Sequence, residues 1–298
     1  MNKPFRLPHN NFHVLCSALT LAIIIGCEHF PSESDDYQAE PVVSAFLIAN
    51  TQFQNIRLER VVPISDRVKR IPIDNAEVYI TEYYTHDDTI VYKRYRFYQD
   101  VDYKTKYFHW RRLYPKSNTK YRIDVHTPLN EHLWAETVIP ETFDTVHIHL
   151  KDDIYQLVKP QLSIGTFGEA LTLSDPNIKI SWSELDSAKG LIGIVDPVDV
   201  NKNDPLDADW NDQFNTNVGW LPIGPDRQSF TIPWVMFNWA GEYRVEVRIV
   251  TEEYFNYLLS SERVDLGLIN RPVSNINGGF GIFTGMSLVG FGVNMDKE

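Results

Sequence analysis

The 298-residue chain is 43% hydrophobic and carries 7 Trp, 15 Tyr and 16 Phe, ample material for a packed core, which excludes an intrinsically disordered protein. Its formal charge of −12 repels nucleic acid and anionic headgroups, so DNA and RNA are excluded as expected partners. With only 2 Cys, no disulfide framework is expected to stabilise it.

The first segment reads as an export signal, residues 1–26. Lys3 and Arg6 precede an apolar run over residues 14–25. A run of that length is too short for the roughly 20 residues of a spanning helix and suits a signal peptide. Ile24-Ile25-Gly26-Cys27 then resembles the lipobox of bacterial lipoproteins. Cleavage before Cys27 would leave its sulfur to carry the acyl chains, so the expected membrane partner is reached through a lipid anchor. Cys16 departs with the signal, and no thiol remains for the mature fold.

Residues 27–40 form an acidic tether. Glu28, Glu33, Asp35, Asp36 and Glu40 occur there, and the first Lys or Arg afterwards is Arg57. Such one-signed, weakly hydrophobic sequence stays solvated. It reads either as a plain spacer or as the acidic surface-export signal of some Gram-negative lipoproteins.

From residue 41 the pattern predicts short antiparallel strands. Residues 42–48 are almost wholly apolar. Ala76, Val78 and Ile80 alternate with Glu77, Tyr79 and Thr81, and Tyr121, Ile123 and Val125 alternate with Arg122, Asp124 and His126. Turn residues at Asp87-Asp88, Pro115 to Asn118 and Pro128 to Asn130 separate the runs. Residues 41–150 are therefore expected to form a β-sandwich of immunoglobulin-like or transthyretin-like type.

A second unit, residues 151–298, places Ile178, Ile180 and Trp182 on one strand face and a strongly alternating strand over residues 241–249. This pattern resembles a fibronectin type III sandwich. Between them, residues 196–230 read as a polar insertion, and loops of that length are usually functional or disordered. Thr251-Glu252-Glu253 predicts a helix start, with a capping hydroxyl and two acids in the first turn, and the helix is expected to run over residues 252–260. Gly278, Gly279, Gly281, Gly285, Gly290 and Gly292 lie among apolar residues, which points to bulged strands or close backbone approach and not to a nucleotide-binding loop. The expected fold is all-β: two β-sandwich domains with one short helix near the C-terminus.

Two constellations are candidates for site chemistry. Asp199, Asn201, Asn203, Asp204, Asp207 and Asp209 gather oxygen donors of the kind calcium takes, so calcium is the one cofactor the chain suggests. Counted from Asp199, however, Asp204 stands where an EF-hand loop needs glycine, and Trp210 stands where it needs a bidentate acid. A solvated acidic loop is the competing reading. Trp110, Arg111 and Arg112, flanked by Tyr107, Phe108 and Tyr114, form a basic and aromatic cluster suited to contact with a glycan or a partner. His147 and His149 project together from one strand, yet no third ligand follows at zinc spacing; an exposed edge-strand pair is expected. Gly285-Met286-Ser287-Leu288-Val289-Gly290 misses the spacing of a nucleophile elbow by one residue, and no His-Glu-x-x-His string occurs.

Several strings together carry a family likeness: DNAEVYI, KYRIDVH, AETVIPETF, EEYFNYLL and above all RPVSNINGGFGIFTG. Over about residues 40–289 the chain resembles the lipoprotein family catalogued as domain of unknown function 4249. The polar insertion departs from that pattern. The resemblance implies an outer-membrane lipoprotein, exposed at the cell surface and associated with a TonB-dependent β-barrel receptor, and it brings no catalytic residues. The expected function is thus a non-enzymatic binding or accessory module for such a transporter. A structural role in envelope assembly is the alternative, ahead of an envelope hydrolase.

Overall fold

Alternating side chains settle into strands wherever one face can be buried. The computed structural model describes residues 39–64, 67–87, 89–158, 165–175, 177–183, 190–206, 219–224, 227–265 and 271–297. Among them the strands follow in order as β1 (Glu40–Ile48), β2 (Ile56–Ile64), β3 (Arg67–Pro72), β4 (Glu77–His86), β5 (Thr89–Gln99), β6 (Lys106–Phe108), β7 (Lys120–His126), β8 (His132–Val138) and β9 (Thr145–Leu150). They continue as β10 (Asp153–Val158), β11 (Thr166–Leu171), β12 (Lys179–Trp182), β13 (Gly190–Pro205), β14 (Trp220–Ile223), β15 (Ser229–Thr231), β16 (Trp239–Val250) and β17 (Phe280–Met295), with helix α1 (Glu252–Asp265) before the last. The fold is all-β with one α-helix among the described residues, as the alternation predicts.

Thirteen strands make one mixed sheet in the order β14-β13-β16-β17-β1-β2-β6-β5-β4-β7-β8, with β11 added at β17 and β3 at β2. The other sheet has four strands, β10-β9-β12-β15. Two hydrophobic cores result. The first takes Val43, Ala45 and Leu47 from β1, Val78 and Ile80 from β4, and Tyr121, Ile123 and Val125 from β7. Here the large sheet curls until β8 meets the chain just before β17, where Trp134 and Asn277 exchange backbone hydrogen bonds of 3.1 and 2.9 Å. The sheet does not close into a barrel. The second core lies between the small sheet (Val146, Ile148, Ile180, Trp182) and the strands β13, β16 and β17 (Leu191, Val245, Val247, Ile249, Phe291). Each large apolar side chain so buried stabilises the fold by about 1.5–3 kcal/mol.

β17 belongs to both cores, through Phe283 in the first and Phe291 in the second. It pairs antiparallel with β16 along one edge and parallel with β1 and then β11 along the other. Its second face is covered as well, because Met286 packs with Ile192, Ile194 and Val250 beneath Tyr254, Phe255 and Leu258 of α1. A strand buried on both faces reads as a continuous apolar run. The glycines within it mark close backbone approach: Gly281 has φ +119°, and a Cβ there would run into the Val43 carbonyl oxygen of the parallel neighbour.

Helix α1 starts where the sequence places it. The Thr251 hydroxyl accepts the Tyr254 N–H at 3.4 Å, and Glu252 and Glu253 occupy the first turn. It runs five residues past the expected end at 260, to Asp265. The serines that look like a break do not act as one. Ser260 and Ser261 each donate a hydroxyl hydrogen bond of 2.8 Å to the Tyr257 carbonyl within the helix. The Ser260 oxygen also accepts the Val273 N–H at 2.8 Å, which ties the returning chain to the helix.

Candidate functional site

The β4–β5 hairpin is paired without interruption from Val78 opposite Phe97 to His86 opposite Thr89. Its inner face begins in the core with Val78, Ile80 and Phe97, then changes character along its length to Glu82, Tyr84, Lys93 and Tyr95. Opposite this stretch runs the segment 109–116. Phe53 and Asn50 donate backbone hydrogen bonds to the Leu113 and Pro115 carbonyls at 2.8 and 2.7 Å, anchoring the segment to the β1–β2 connection. Burial alternates within it: Leu113 and Pro115 turn inward, while Arg112, Tyr114 and Lys116 turn out.

Between hairpin and segment lies a groove of about 670 Å³. Four cations line it, Lys93, Arg111, Arg112 and Lys116, together with Tyr84, Tyr95, Tyr114, His109 and Leu113; Arg94 borders it, but its guanidinium lies over the Tyr79 ring on the other face of the hairpin. Its one acid is Glu82. In a chain with 40 acidic and 28 basic side chains, that grouping opposes the overall charge. The volume falls within the roughly 300–1,000 Å³ usual for ligand sites.

Glu82 is only 5% exposed and forms the floor of the groove. It accepts hydrogen bonds from the Tyr95 and Tyr121 hydroxyls at 2.6 and 3.3 Å and lies 3.8 Å from the Lys116 ammonium. Burial, and then the hydrogen bond and charge of Glu82, push the Tyr95 phenol well above its ordinary 10.0. Burial raises Tyr121 as well; the Lys116 N–H it accepts works against this and Glu82 works with it. Both phenols therefore remain protonated donors. His109 places Nδ1 at 2.7 Å from the Arg96 carbonyl oxygen, which assigns the proton to Nδ1 and leaves Nε2 as acceptor in the neutral ring. Its ring packs edge-on to Tyr95 at 5.5 Å.

The structure separates the three residues of the predicted contact cluster. Arg111 and Arg112 line the groove, while Trp110 lies outside its lining. Trp110 is 74% exposed and meets Tyr98 and Phe108 edge-on at 5.7 and 5.8 Å. There it extends a ladder in which Arg94 lies 3.9 Å from the Tyr79 ring centroid and Arg96 lies 5.9 Å from Tyr79 and 5.5 Å from Tyr98. The groove residues contributed by the hairpin were missed in the sequence. Their signal was the run Tyr92-Lys93-Arg94-Tyr95-Arg96-Phe97-Tyr98, basic and aromatic at once in an acidic chain.

Of the calcium candidates, Asp199, Asn201 and Asn203 lie within strand β13, and Asp199 is exposed opposite Glu242 of β16. Asp207 and Asp209 lie outside the described residues, as does Cys27. Among the described residues no three His, Cys, Asp or Glu side chains converge as a metal-holding group. His147 and His149 are half-buried on β9, which lies between β10 and β12 in the small sheet and so is not the edge strand expected. His149 Nε2 is 3.2 Å from the Ser181 hydroxyl. A second histidine pair escaped the sequence reading altogether. His126 and His132, opposite each other on β7 and β8, stack at 4.4 Å, and His132 Nε2 lies 3.1 Å from Asp124.

The string RPVSNINGGFGIFTG has a structural explanation. The Asn275 side chain accepts the Phe283 N–H at 3.0 Å and donates to the Phe283 carbonyl at 2.7 Å, standing in for a strand neighbour. Ile276 enters the first core, and Asn277 pairs with Trp134 of β8. No curated protein matches the chain. A family model does match it, over residues 28–289, which takes in the groove, the first core, most of the second and the asparagine clamp. The chain belongs to the family described as a domain of unknown function, DUF4249.

Proposed function

We propose that this protein is a lipid-anchored, non-enzymatic recognition module of the outer membrane, facing the cell exterior and serving a TonB-dependent β-barrel transporter. The observation that carries the recognition role is the groove: four cations and three tyrosines surround one buried acid in a chain whose overall charge is negative. Charges of one sign held together are costly without a counter-charge, and an anionic ligand supplies it. The lipobox at Cys27 supports the anchor, and the acidic tether supports surface exposure. The transporter link draws on the likeness noted in the sequence and is associational.

The test is purification of the tagged, full-length lipoprotein from outer membranes in mild detergent, with protease shaving of intact cells to report surface exposure. Stoichiometric recovery of a β-barrel receptor is the expected result. Recovery of envelope-assembly components in its place would move the protein to the structural alternative, and recovery of neither would end the transporter reading.

A further inference from the structure

We infer that the groove between the β4–β5 hairpin and the segment 109–116 binds an acidic oligosaccharide, a run of pyranose rings bearing carboxylate or sulfate groups. This inference rests on the recognition reading above and specifies its ligand.

The cations come from two separate stretches of backbone, Lys93 on β5 and Arg111, Arg112 and Lys116 on the facing segment. Held on two different backbone stretches, they border the groove from two sides, which suits a chain of anionic groups better than one small ion. Along the segment, Arg112, Tyr114 and Lys116 are the successive outward side chains. In extended backbone such neighbours stand about 6–7 Å apart, so charge, ring and charge recur on the scale of a sugar unit. Guanidinium forks match planar carboxylate and tetrahedral sulfate oxygens in pairs.

The aromatic component separates a sugar from a plain polyanion. Tyr84 and Tyr114 are 42% and 46% exposed at the groove, each presenting part of an apolar ring beside a cation. A pyranose offers a flat C–H face to such a ring and hydroxyls to its phenol, and a neighbouring acidic substituent then reaches the arginines. Glu82 acts as a positioning residue: it holds the Tyr95 hydroxyl and the Lys116 ammonium from below and, being buried, does not itself face the anion.

The experiment is calorimetric titration of the full-length lipoprotein in detergent with tetragalacturonate, a neutral galactose tetramer, a heparin tetrasaccharide and tetraglutamate. Tetragalacturonate is expected to bind at least about tenfold more tightly than the neutral tetramer, with affinity falling as salt rises. Arg111→Ala/Arg112→Ala and, separately, Tyr114→Ala should each weaken it by about tenfold or more. Lys179→Ala/Arg227→Ala, which removes the same charge from exposed positions outside the groove, should leave affinity unchanged. Preference for the heparin fragment would keep the inference and assign the acid to sulfate. Equal binding of tetraglutamate, or loss on Arg111→Ala/Arg112→Ala with none on Tyr114→Ala, would overturn it in favour of a plain polyanion site. Binding of none of the saccharides would overturn it outright, while co-purification of the barrel would still support the transporter reading.

Discussion

The Tyr95 hydroxyl donates a 2.6 Å hydrogen bond to the Glu82 carboxylate, and the two face each other beneath a rim of four cations, Lys93, Arg111, Arg112 and Lys116. Ile80 and Tyr95 are cross-strand partners, as are Glu82 and Lys93, so this bond runs diagonally across the hairpin at the point where core gives way to groove. The buried acid is satisfied by two phenols and one ammonium, and its charge helps keep both phenols protonated.

Replacing Glu82 by Gln tests that arrangement. The amide keeps the shape but loses the charge, and it brings its own N–H donors against phenols that are already donors. A stability loss of about 1–3 kcal/mol is expected in urea titration, together with earlier ionisation of the Tyr95 and Tyr121 phenols in ultraviolet titration. Unchanged stability and an unchanged tyrosine titration would show that Glu82 does not hold the floor.

The alkaline limb of the stability curve follows from the same groups. Burial raises the phenols of Tyr95, Tyr107, Tyr121, Tyr243 and Tyr254 above their ordinary 10.0, the value they regain on unfolding. Between the two values the folded state binds more protons. The stabilisation from these phenols is therefore complete below pH 10.0 and is lost as pH climbs towards the folded values. The melting temperature should fall steeply above about pH 10. A flat profile from pH 9 to 11 would contradict the burial of these hydroxyls.

The acid limb has the opposite sign. Asp124 is partly desolvated, which alone would raise it, but hydrogen bonds from Arg122 and His132 outweigh this and hold it below 3.8. Its contribution is present above the unfolded value and disappears as pH falls through the folded one. Asp124→Asn should therefore flatten the loss of stability below about pH 4, measured by thermal melts from pH 2 to 6. An acid limb identical to that of the parent protein would remove Asp124 from the account.

Asn275 should matter for stability and not for ligand binding. Asn275→Ala leaves the Phe283 N–H and carbonyl without their side-chain partner inside a packed region, at a cost of about 1–3 kcal/mol. Gly281→Ala should be worse, about 3 kcal/mol or more, because φ +119° strains an alanine and its Cβ meets the Val43 carbonyl. Denaturant midpoints of the two variants give the comparison directly. An Asn275→Ala variant of parental stability, or a Gly281→Ala variant less affected than it, would reject this ranking.

For the proposed anchor, Cys27→Ser removes the lipid acceptor. The variant should leave the membrane fraction or retain its signal, which fractionation and mass determination distinguish. Equal retention of a cleaved variant would reject lipidation at this position.

What the sequence by itself determined was local. Alternation in Tyr121, Ile123 and Val125, and in Tyr243, Val245 and Val247, placed strands β7 and β16, because period two is imposed by one buried face and needs no knowledge of the partner. The capping threonine and two acids placed the start of α1. Its end was hidden, since Ser260 and Ser261 bond back into the helix, a choice made by rotamer and packing. The tertiary structure alone decided which distant segments meet. The parallel pairing of β1 with β17 joins residues at opposite ends of the described chain, and neither strand's period names the other. The groove is of the same kind. Arg111 and Arg112 were legible as a cluster, but Glu82, Lys93 and Tyr95 reach them only through the register of a hairpin and the anchoring of Leu113 and Pro115. Charge and aromaticity are properties of residues, whereas a site is a property of the distances between them, and those distances follow from long-range pairing that no local pattern encodes.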